Sequence, residues 1–252
     1  MSVWYCIPSK RPLAEANACL DAWREQGFRT AVMREKSDGT VAEDRHWQQD
    51  VSTYQGWARS VNMLIANIMA FDPIAEWYVT GGDDYWPDLN HTADEIAREC
   101  SDHFRNVNIE RTGETIEVHP TFGVMQPTGD RWGDHGDGKG AVIDRIAGSP
   151  WMGREFCRRM YHGAGPLYNG YQHNFADQEL QEVAQKLGVF WQRRDLIHEH
   201  RHVARTDPNW DLKAPQWKLN INHPAHSDWD KSKALFAARK AAGFPGHEPL
   251  EL

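Results

Sequence analysis

The first 33 residues contain the pattern that most restricts how this chain can fold. Residues 3–7 form a continuous apolar run that Pro8 and Ser9 end, which is typical of a buried strand followed by a loop. Residues 12–26 repeat apolar side chains at helical spacing, and residues 28–33, which end in Ala-Val-Met, are predicted to form a second strand. A strand, a helix and a strand in this order predict a βαβ unit with parallel strands. We therefore expect an α/β fold with a mostly parallel central sheet flanked by helices.

A later apolar run ends in two glycines and two adjacent acids. Residues 77–79 are Trp, Tyr and Val, and Gly81 and Gly82 then lead to Asp83 and Asp84. This order indicates a buried strand that delivers carboxylates to its C-terminal end, where open α/β sheets bind their ligands. A divalent metal that carries phosphates is a common partner for carboxylates in such a place. A plain Gly-Asp turn between two elements is the alternative interpretation.

The rest of the chain continues to alternate between helical and strand patterns. Apolar residues at helical spacing predict longer helices at residues 56–71, 90–104, 177–187 and 230–242. A shorter helix, capped by Ser149, is expected within residues 142–160. Further strands are expected within residues 106–126 and at residues 189–191. Loops are expected at residues 35–51, with at most one short strand, and at residues 128–140, a glycine-rich segment predicted to be mobile.

The composition limits the kind of protein this can be. With 252 residues, of which 40% are hydrophobic, the chain can bury the core of a single α/β domain. Its formal net charge of −8 argues against a broad phosphate-binding face but allows a local basic groove. The four cysteines have no C-x-x-C spacing, which favours free thiols and a cytoplasmic location. No stretch approaches the roughly 20 apolar residues of a membrane span, so none is expected.

An acidic residue stands at the start of one predicted helix. Asp177 precedes the apolar positions of the helix at residues 177–187. As a helix cap it would satisfy free backbone N–H groups and contribute about 1 kcal/mol. As a general base it would instead take a proton from a hydroxyl group at the rim of a pocket. The residues by themselves leave both roles open.

A histidine-rich segment follows near residue 200. His198, His200 and His202 alternate with Glu199 and Arg201, so on a strand the three imidazoles would share one face and could serve a metal. On a helix the same residues match H-E-x-x-H, in which His198 and His202 bind zinc and Glu199 is the base. Exposed histidines in a polar loop are the third interpretation.

Taken in chain order, these features resemble a glycosyltransferase of the GT-A fold, and most closely the small inverting family 2 type. The resemblance covers roughly residues 3–205 and depends on the order and spacing of its motifs more than on any one of them. It is carried by residues 7–12, 56–62, 82–84, 175–180 and 198–200. The sequence departs from the family pattern in two places, since residues 82–84 are Gly-Asp-Asp rather than Asp-x-Asp and the Asp177 region lacks the more common Glu-Asp pair.

The resemblance implies both an architecture and a set of site residues. Residues 1–205 would form a Rossmann-like GT-A domain, and residues 206–252 a C-terminal, acceptor-side extension packed on it. The implied nucleotide-sugar ligands are Pro8, Ser9, Arg11, Asn62 and Asp83. The implied ligands of Mn²⁺ or Mg²⁺ are Asp84 together with His200 or His198. Asp177 would be the catalytic base.

The expected function is therefore metal-dependent transfer of a sugar from a nucleotide-sugar donor to an acceptor hydroxyl, with inversion. The acceptor would be a glycan, a small molecule or a hydroxylated DNA base, and the sequence does not choose between them. Other functions also fit parts of the pattern. They are a nucleotidyltransferase on a similar sheet, a zinc hydrolase that uses the H-E-x-x-H residues, and a non-catalytic binding module.

Overall fold

The computed structural model describes residues 2–42, 44–111, 114–134, 136, 140–207, 209 and 228–250. The strands are β1 (Ser2–Pro8), β2 (Arg29–Glu35), β3 (Trp47–Val51), β4 (Ala75–Val79), β5 (Tyr85–Trp86), β6 (Asn108–Arg111), β7 (Glu114–Glu117), β8 (Val124–Pro127), β9 (Trp151–Gly153), β10 (Phe190–Arg193) and β11 (Glu199–His200). The helices are α1 (Leu13–Glu25), α2 (Trp57–Phe71), α3 (Ala93–Arg105), α4 (Arg154–Gly163), α5 (Ala176–Lys186), α6 (Val203–Thr206) and α7 (Trp229–Ala241). Short 3₁₀ turns cover Lys36–Asp38 and Val142–Asp144.

The central sheet has seven strands in the order β10-β8-β9-β4-β1-β2-β3. All neighbouring pairs are parallel except those of β9, which runs antiparallel to both β4 and β8. The predicted α/β class, with a mostly parallel, Rossmann-like sheet flanked by helices, is thus confirmed. Two small antiparallel pairs, β5 with β11 and β6 with β7, lie outside this sheet.

The two central strands explain why the sequence forms this sheet. β1 and β4 are apolar almost throughout and lie side by side, with Trp4 opposite Tyr78 and Tyr5 opposite Val79. Such unbroken apolar runs are needed where helices cover both faces of a parallel sheet. α1 and α2 supply part of that cover, and Trp23 and Leu64 are fully buried. The predicted βαβ unit of β1, α1 and β2 is present, and its strands are parallel.

Residues 142–160 differ from the prediction of one helix capped by Ser149. Trp151 and Met152 belong to the buried strand β9, and α4 begins only after Gly153. The side chain of Ser149 lies 2.7 Å from the imidazole of His198 instead of capping a helix. β9 pairs with β4 on one side and with β8 on the other. This position in the sheet buries the large side chains of Trp151 and Met152, which suit a strand packed on both faces.

The other predicted elements agree with the structure to within a few residues. Residues 106–126 contain β6, β7 and part of β8, and residues 35–51 contain the single short strand β3. The helices expected at residues 177–187 and 230–242 are α5 and α7. Among the described residues, no helix combines the length and apolar character needed to cross a membrane.

Candidate active site

The carboxyl ends of β1 and β4 bring together residues that lie more than 70 positions apart in the chain. Ser9 Oγ donates a hydrogen bond to Asp83 Oδ2 at 2.6 Å, and Arg11 Nε donates to Asp83 Oδ1 at 2.7 Å. Both carboxylate oxygens of Asp83 are therefore used within the protein. Parallel neighbouring strands end at the same edge of the sheet, which is why the loops after β1 and β4 meet.

Asp84 faces the imidazole of His200 and the guanidinium of Arg11. Its Oδ2 lies 3.3 Å from His200 Nε2 and 3.8 Å from Arg11 Nη2. Burial by itself would raise the pKa of Asp84, but the hydrogen bond and charge of His200, together with the charge of Arg11, hold it below its ordinary value. The carboxylate is therefore kept ionised. We call Ser9, Arg11, Asp83, Asp84 and His200 the carboxyl-end cluster.

The short pairing of β11 with β5 is what brings His200 to this cluster. His200 lies opposite Tyr85, the residue after Asp84, and the two rings stack with centroids 4.1 Å apart. Trp132 covers His200 from another side at 4.8 Å. Asp130 accepts a hydrogen bond from His200 N at 3.0 Å, so the described part of the loop at residues 128–140 is held against β11.

The donor types in the cluster fit a divalent metal ion. Asp84 offers a carboxylate and His200 an imidazole, a combination that suits Mn²⁺, whereas Mg²⁺ would use the carboxylate with phosphate oxygens and water. The Nδ1 atom of His200 is buried and has no hydrogen-bond partner among the described residues. A Cβ on Gly82 would lie 2.4 Å from Asp84 Oδ1, so glycine leaves the space that this carboxylate occupies. Within the described part of the chain, no three His, Cys, Asp or Glu side chains are gathered closely enough to hold a metal by themselves.

The structure does not bring His198 to this cluster, which corrects its expected role as a metal ligand. His198 is buried between Trp23 and Trp151. Its Nδ1 lies 2.7 Å from Ser149 Oγ, and its Nε2 accepts a hydrogen bond from Trp151 Nε1 at 3.4 Å. Both ring nitrogens are therefore used inside the core. Burial lowers the pKa of this imidazole to about 3.

The H-E-x-x-H interpretation is also corrected. Glu199 and His200 form the strand β11, and α6 begins only at Val203. A zinc-peptidase site needs both histidines of the motif on one face of a helix. Since His198 and the start of α6 do not share a helix, these residues cannot form that site.

Asp177 lies in the first turn of α5, and Phe175 occupies the N-cap position. Its Oδ1 accepts a hydrogen bond from Gln178 N at 2.9 Å, and burial raises its pKa above the ordinary value. Burial also raises the pKa of the Tyr85 hydroxyl, and the charges of Asp84 and Asp177 raise it further. The charge of Asp177 thus reaches Tyr85, whose backbone pairs with His200 of the carboxyl-end cluster. A carboxylate with a raised pKa is suited to general-base chemistry.

Asn62, expected beside the nucleotide, instead holds the loop between α4 and α5. Its amide donates hydrogen bonds to Leu167 O at 2.7 Å and Asn169 Oδ1 at 2.8 Å. Its oxygen accepts from Leu167 N at 3.1 Å. This side chain is buried and fully used in that role. Pro8, by contrast, ends β1 immediately before Ser9, and its expected role beside the nucleotide stays a prediction.

Sequence reasoning missed several residues that shape the site. Arg34 is fully buried at the end of β2 and donates to the carbonyl oxygens of Ser9, Arg11, Asp38 and Gly39 at 2.6–3.4 Å. Tyr5 and Trp57 donate to the carbonyl oxygens of Gly82 and Gly81 at 2.6 and 3.0 Å. The one signal in the sequence was Arg34 itself, a charged residue inside an apolar run.

Tyr54 is a further missed residue beside the cluster. Burial raises the pKa of its hydroxyl, and the charge of Asp83 raises it further. Its backbone N–H donates to Glu35 Oε1 at 2.9 Å, which ties the segment after β3 to the end of β2. An aromatic ring on a loop carries no periodic pattern, so nothing in the sequence distinguished it.

Comparison with protein-family models finds no match, and comparison with curated proteins finds none. Among solved structures, the chain is similar to a glycosyltransferase involved in the glycosylation of the major capsid of PBCV-1, with 7% sequence identity and a TM-score of 0.33. The similarity covers 62% of this chain and 61% of that one, so this chain spans less than two thirds of that protein's length.

Proposed function

We propose that this protein is a metal-dependent glycosyltransferase that moves a sugar from a nucleotide-sugar donor to an acceptor hydroxyl with inversion. The observation that carries the proposal is the carboxyl-end cluster, with an ionised Asp84 facing His200 and Arg11 and with Asp177 close enough for its charge to act on Tyr85. Acids, a cation and an imidazole at the carboxyl end of parallel strands suit a ligand that carries both phosphate and metal.

The two adjacent acids have different proposed roles. Asp84, with His200, would hold Mn²⁺ or Mg²⁺, because both oxygens of Asp83 already accept hydrogen bonds from Ser9 and Arg11. The bound ion would neutralise charge that develops on the diphosphate leaving group. Arg11 would add a second cation for the diphosphate, and Pro8, Ser9 and Asp83 would line the nucleotide side of the pocket.

Asp177 is the proposed catalytic base. It would accept the proton of the acceptor hydroxyl while that oxygen forms a bond to the anomeric carbon and the bond from this carbon to the diphosphate breaks. Attack from the face opposite the leaving group inverts the anomeric carbon. The raised pKa of Asp177 makes its carboxylate a better proton acceptor than an ordinary, exposed aspartate. The acceptor would be a glycan, a small molecule or a hydroxylated DNA base, and no observation on the described residues favours DNA.

The first test separates donor binding from transfer. Thermal unfolding would be followed with Mn²⁺ and a panel of nucleoside diphosphates, because a ligand that binds only the folded state raises the melting temperature. We expect Asp84→Asn to lose the stabilisation that requires Mn²⁺. We expect Asp177→Asn to keep it, yet to lose transfer from the matching nucleotide sugar by 100-fold or more, in the range of about 10²–10⁴ that a general base contributes.

Each part of the assignment has its own contradicting result. If Asp84→Asn kept the full stabilisation by Mn²⁺ and nucleoside diphosphate, the metal assignment would be wrong. Near-normal transfer by Asp177→Asn would remove the base. Failure of every nucleoside diphosphate to stabilise the wild-type protein would overturn the function itself.

A further inference from the structure

The helix that carries Asp177 is joined to the C-terminal helix by a buried ion pair. Glu179, in the first turn of α5, is completely buried. Arg239 of α7 approaches it with both arms of its guanidinium, with Nε 2.8 Å from Oε2 and Nη2 2.6 Å from Oε1. This fork geometry fixes direction as well as distance, which a single contact to a flexible cation would not.

Two tyrosines complete the shell around Glu179. Tyr161 donates its hydroxyl to Oε1 at 2.8 Å, and Tyr171 donates to Oε2 at 2.7 Å. The Arg239 guanidinium lies 3.4 Å from the centroid of the Tyr168 ring, and its Nη2 also donates to Pro245 O at 3.1 Å. Three side chains from three different segments thus hold the Glu179 carboxylate and restrict its orientation.

The start of α5 is also packed against α7. Phe175 has a left-handed backbone with φ of 74°, a conformation that non-glycine residues rarely adopt. Its ring lies 5.0 Å from Trp229 and 5.5 Å from Phe236, both on α7. The strained residue is therefore held in place by the C-terminal helix. The entrance to α5 is held by α7 on both sides of Asp177.

Helical geometry relates Glu179 to Asp177. Residues two positions apart point in directions that differ by about 200° around the axis. When Glu179 is fixed toward α7, Asp177 is turned to the other side of α5. A buried ion pair is a poor way to gain stability, since apolar residues of similar size often do as well. Its directional hydrogen bonds can instead fix an orientation.

We infer that Arg239 is a positioning residue, which fixes the rotation of α5 through Glu179 and thereby aims the Asp177 carboxylate at the acceptor. This inference rests on the proposed role of Asp177 as the base. It assigns the C-terminal helix a part in the reaction although none of its residues touches the carboxyl-end cluster in the described contacts.

The test compares Arg239→Lys with a matched control on the same two helices. Lysine keeps the charge but loses the fork. The control is Lys240→Gln, which removes the exposed pair of Lys240 Nζ with Glu182 Oε1 at 2.7 Å. We expect Arg239→Lys to lower kcat by 10-fold or more while the KM for the donor and the Kd for the nucleoside diphosphate stay within twofold. Lys240→Gln should leave all three within twofold of the wild type.

Tyr171→Phe is the second variant, because it keeps the ion pair intact and removes one hydrogen bond to Glu179. We expect a smaller loss of kcat than in Arg239→Lys, again without a change in donor KM. If both variants kept kcat within twofold of the wild type, or if donor affinity fell by the same factor as kcat, Arg239 would not be a positioning residue.

A double variant separates this inference from the proposed function. If Arg239 acts through Asp177, Arg239→Lys should change the residual transfer of Asp177→Asn by less than twofold. A further 10-fold loss in that background would contradict the inference. Normal transfer by Asp177→Asn would overturn the base itself, whereas an inactive Asp177→Asn beside a fully active Arg239→Lys would overturn only the positioning role.

Discussion

Two histidines separated by one residue have different surroundings. His200 faces Asp84 at the carboxyl end of the sheet, whereas His198 is buried with both ring nitrogens hydrogen-bonded in the core. Residues two positions apart on a strand share one face. Only Glu199 and His200 belong to β11, so His198 lies outside the strand and its own contacts set its direction. The segment therefore places one histidine in the core and the other at the carboxyl-end cluster.

Burial of His198 predicts a loss of stability in acid. The pKa of His198 is lowered from 6.5 to about 3, so between these values the unfolded chain binds a proton that the folded chain does not. Its contribution to the free energy of unfolding is fully present above pH 6.5 and is lost progressively as the pH falls toward 3, by up to about 1.4 kcal/mol per pH unit.

The variant His198→Gln would be compared with the wild type by urea unfolding at several pH values in that window. Glutamine keeps a polar partner for Ser149 or Trp151 but does not titrate. We expect it to be less stable at neutral pH, because the fit in the core is poorer, and to have a flatter dependence on pH. Parallel stability curves for the two proteins would show that His198 is not the source of the acid sensitivity.

At the scale of elements, the loop between α4 and α5 is fastened to the start of α2. Trp57 N donates to Gln172 O at 2.7 Å, and Asn62 holds Leu167 and Asn169. Trp57 also donates its indole N–H to Gly81 O beside the cluster. The start of α2 thus joins the loop that leads to Asp177 with the loop that carries Asp83 and Asp84.

Gly56 is the position where this junction is tightest. Its φ is 93°, and a Cβ there would lie 2.6 Å from Gln172 O. We expect Gly56→Ala to lower the free energy of unfolding by more than about 1–3 kcal/mol, the cost of a sparsely populated backbone conformation, because φ of 93° with ψ of 157° is a region adopted almost only by glycine and the Gln172 carbonyl must also move. Transfer should fall with it, since Trp57 would shift away from Gly81.

Gly188 provides the matched control. Its φ is 72°, but the nearest atom to a Cβ there is Ile109 Cγ2 at 3.8 Å, an ordinary contact. Gly188→Ala should therefore show the cost of backbone strain alone and keep transfer activity. Equal losses of stability in the two alanine variants, measured by urea unfolding, would mean that the contact with Gln172 adds nothing.

At the scale of the whole molecule, α7 is attached to the sheet domain by buried as well as exposed contacts. Besides the Arg239–Glu179 pair, Lys186 Nζ donates to Gly243 O at 2.9 Å near the other end of α5. Within the extension predicted at residues 206–252, α7 thus packs on α5, whereas the boundary at residue 205 stays a prediction and residues 210–227 lie outside the described residues.

These contacts predict that α5 and α7 open together. Hydrogen exchange measured by mass spectrometry should give opening free energies for the amides of the two helices that differ by no more than about 1 kcal/mol, as in one cooperative unit. Arg239→Lys should lower both values together. If the amides of α7 exchanged much faster than those of α5, the C-terminal helix would be an independent extension rather than a brace.

Periodic patterns account for what could be predicted from the sequence. Apolar runs predict the buried strands β1, β2 and β4, and helical spacing predicts the buried faces of α1, α2, α5 and α7. The order of these strands and helices indicates the α/β class. The position of the acids after β4 could be predicted as well. They follow the C-terminal end of a buried strand in the sequence, so they must lie at the carboxyl edge of the sheet.

The single-residue roles depended on contacts between distant segments. Nothing in the local sequence distinguishes Asp84 from Asp83. The difference arises because Ser9 and Arg11, in the loop after β1, donate hydrogen bonds to Asp83. Likewise, Ser149 and His198 lie 49 residues apart in the sequence but contact each other in the core. The expected helix cap and the expected metal ligand therefore form a buried pair.

The sequence alone thus determined the layers of the fold and the edge of the sheet where the adjacent acids lie, because apolar periodicity is a local property of the chain. Tertiary structure decided which carboxylate at that edge faces His200, which histidine reaches it, and that a C-terminal helix holds the start of α5. Those outcomes depend on hydrogen bonds and ion pairs whose partners are far apart in sequence and become neighbours only when the sheet has formed.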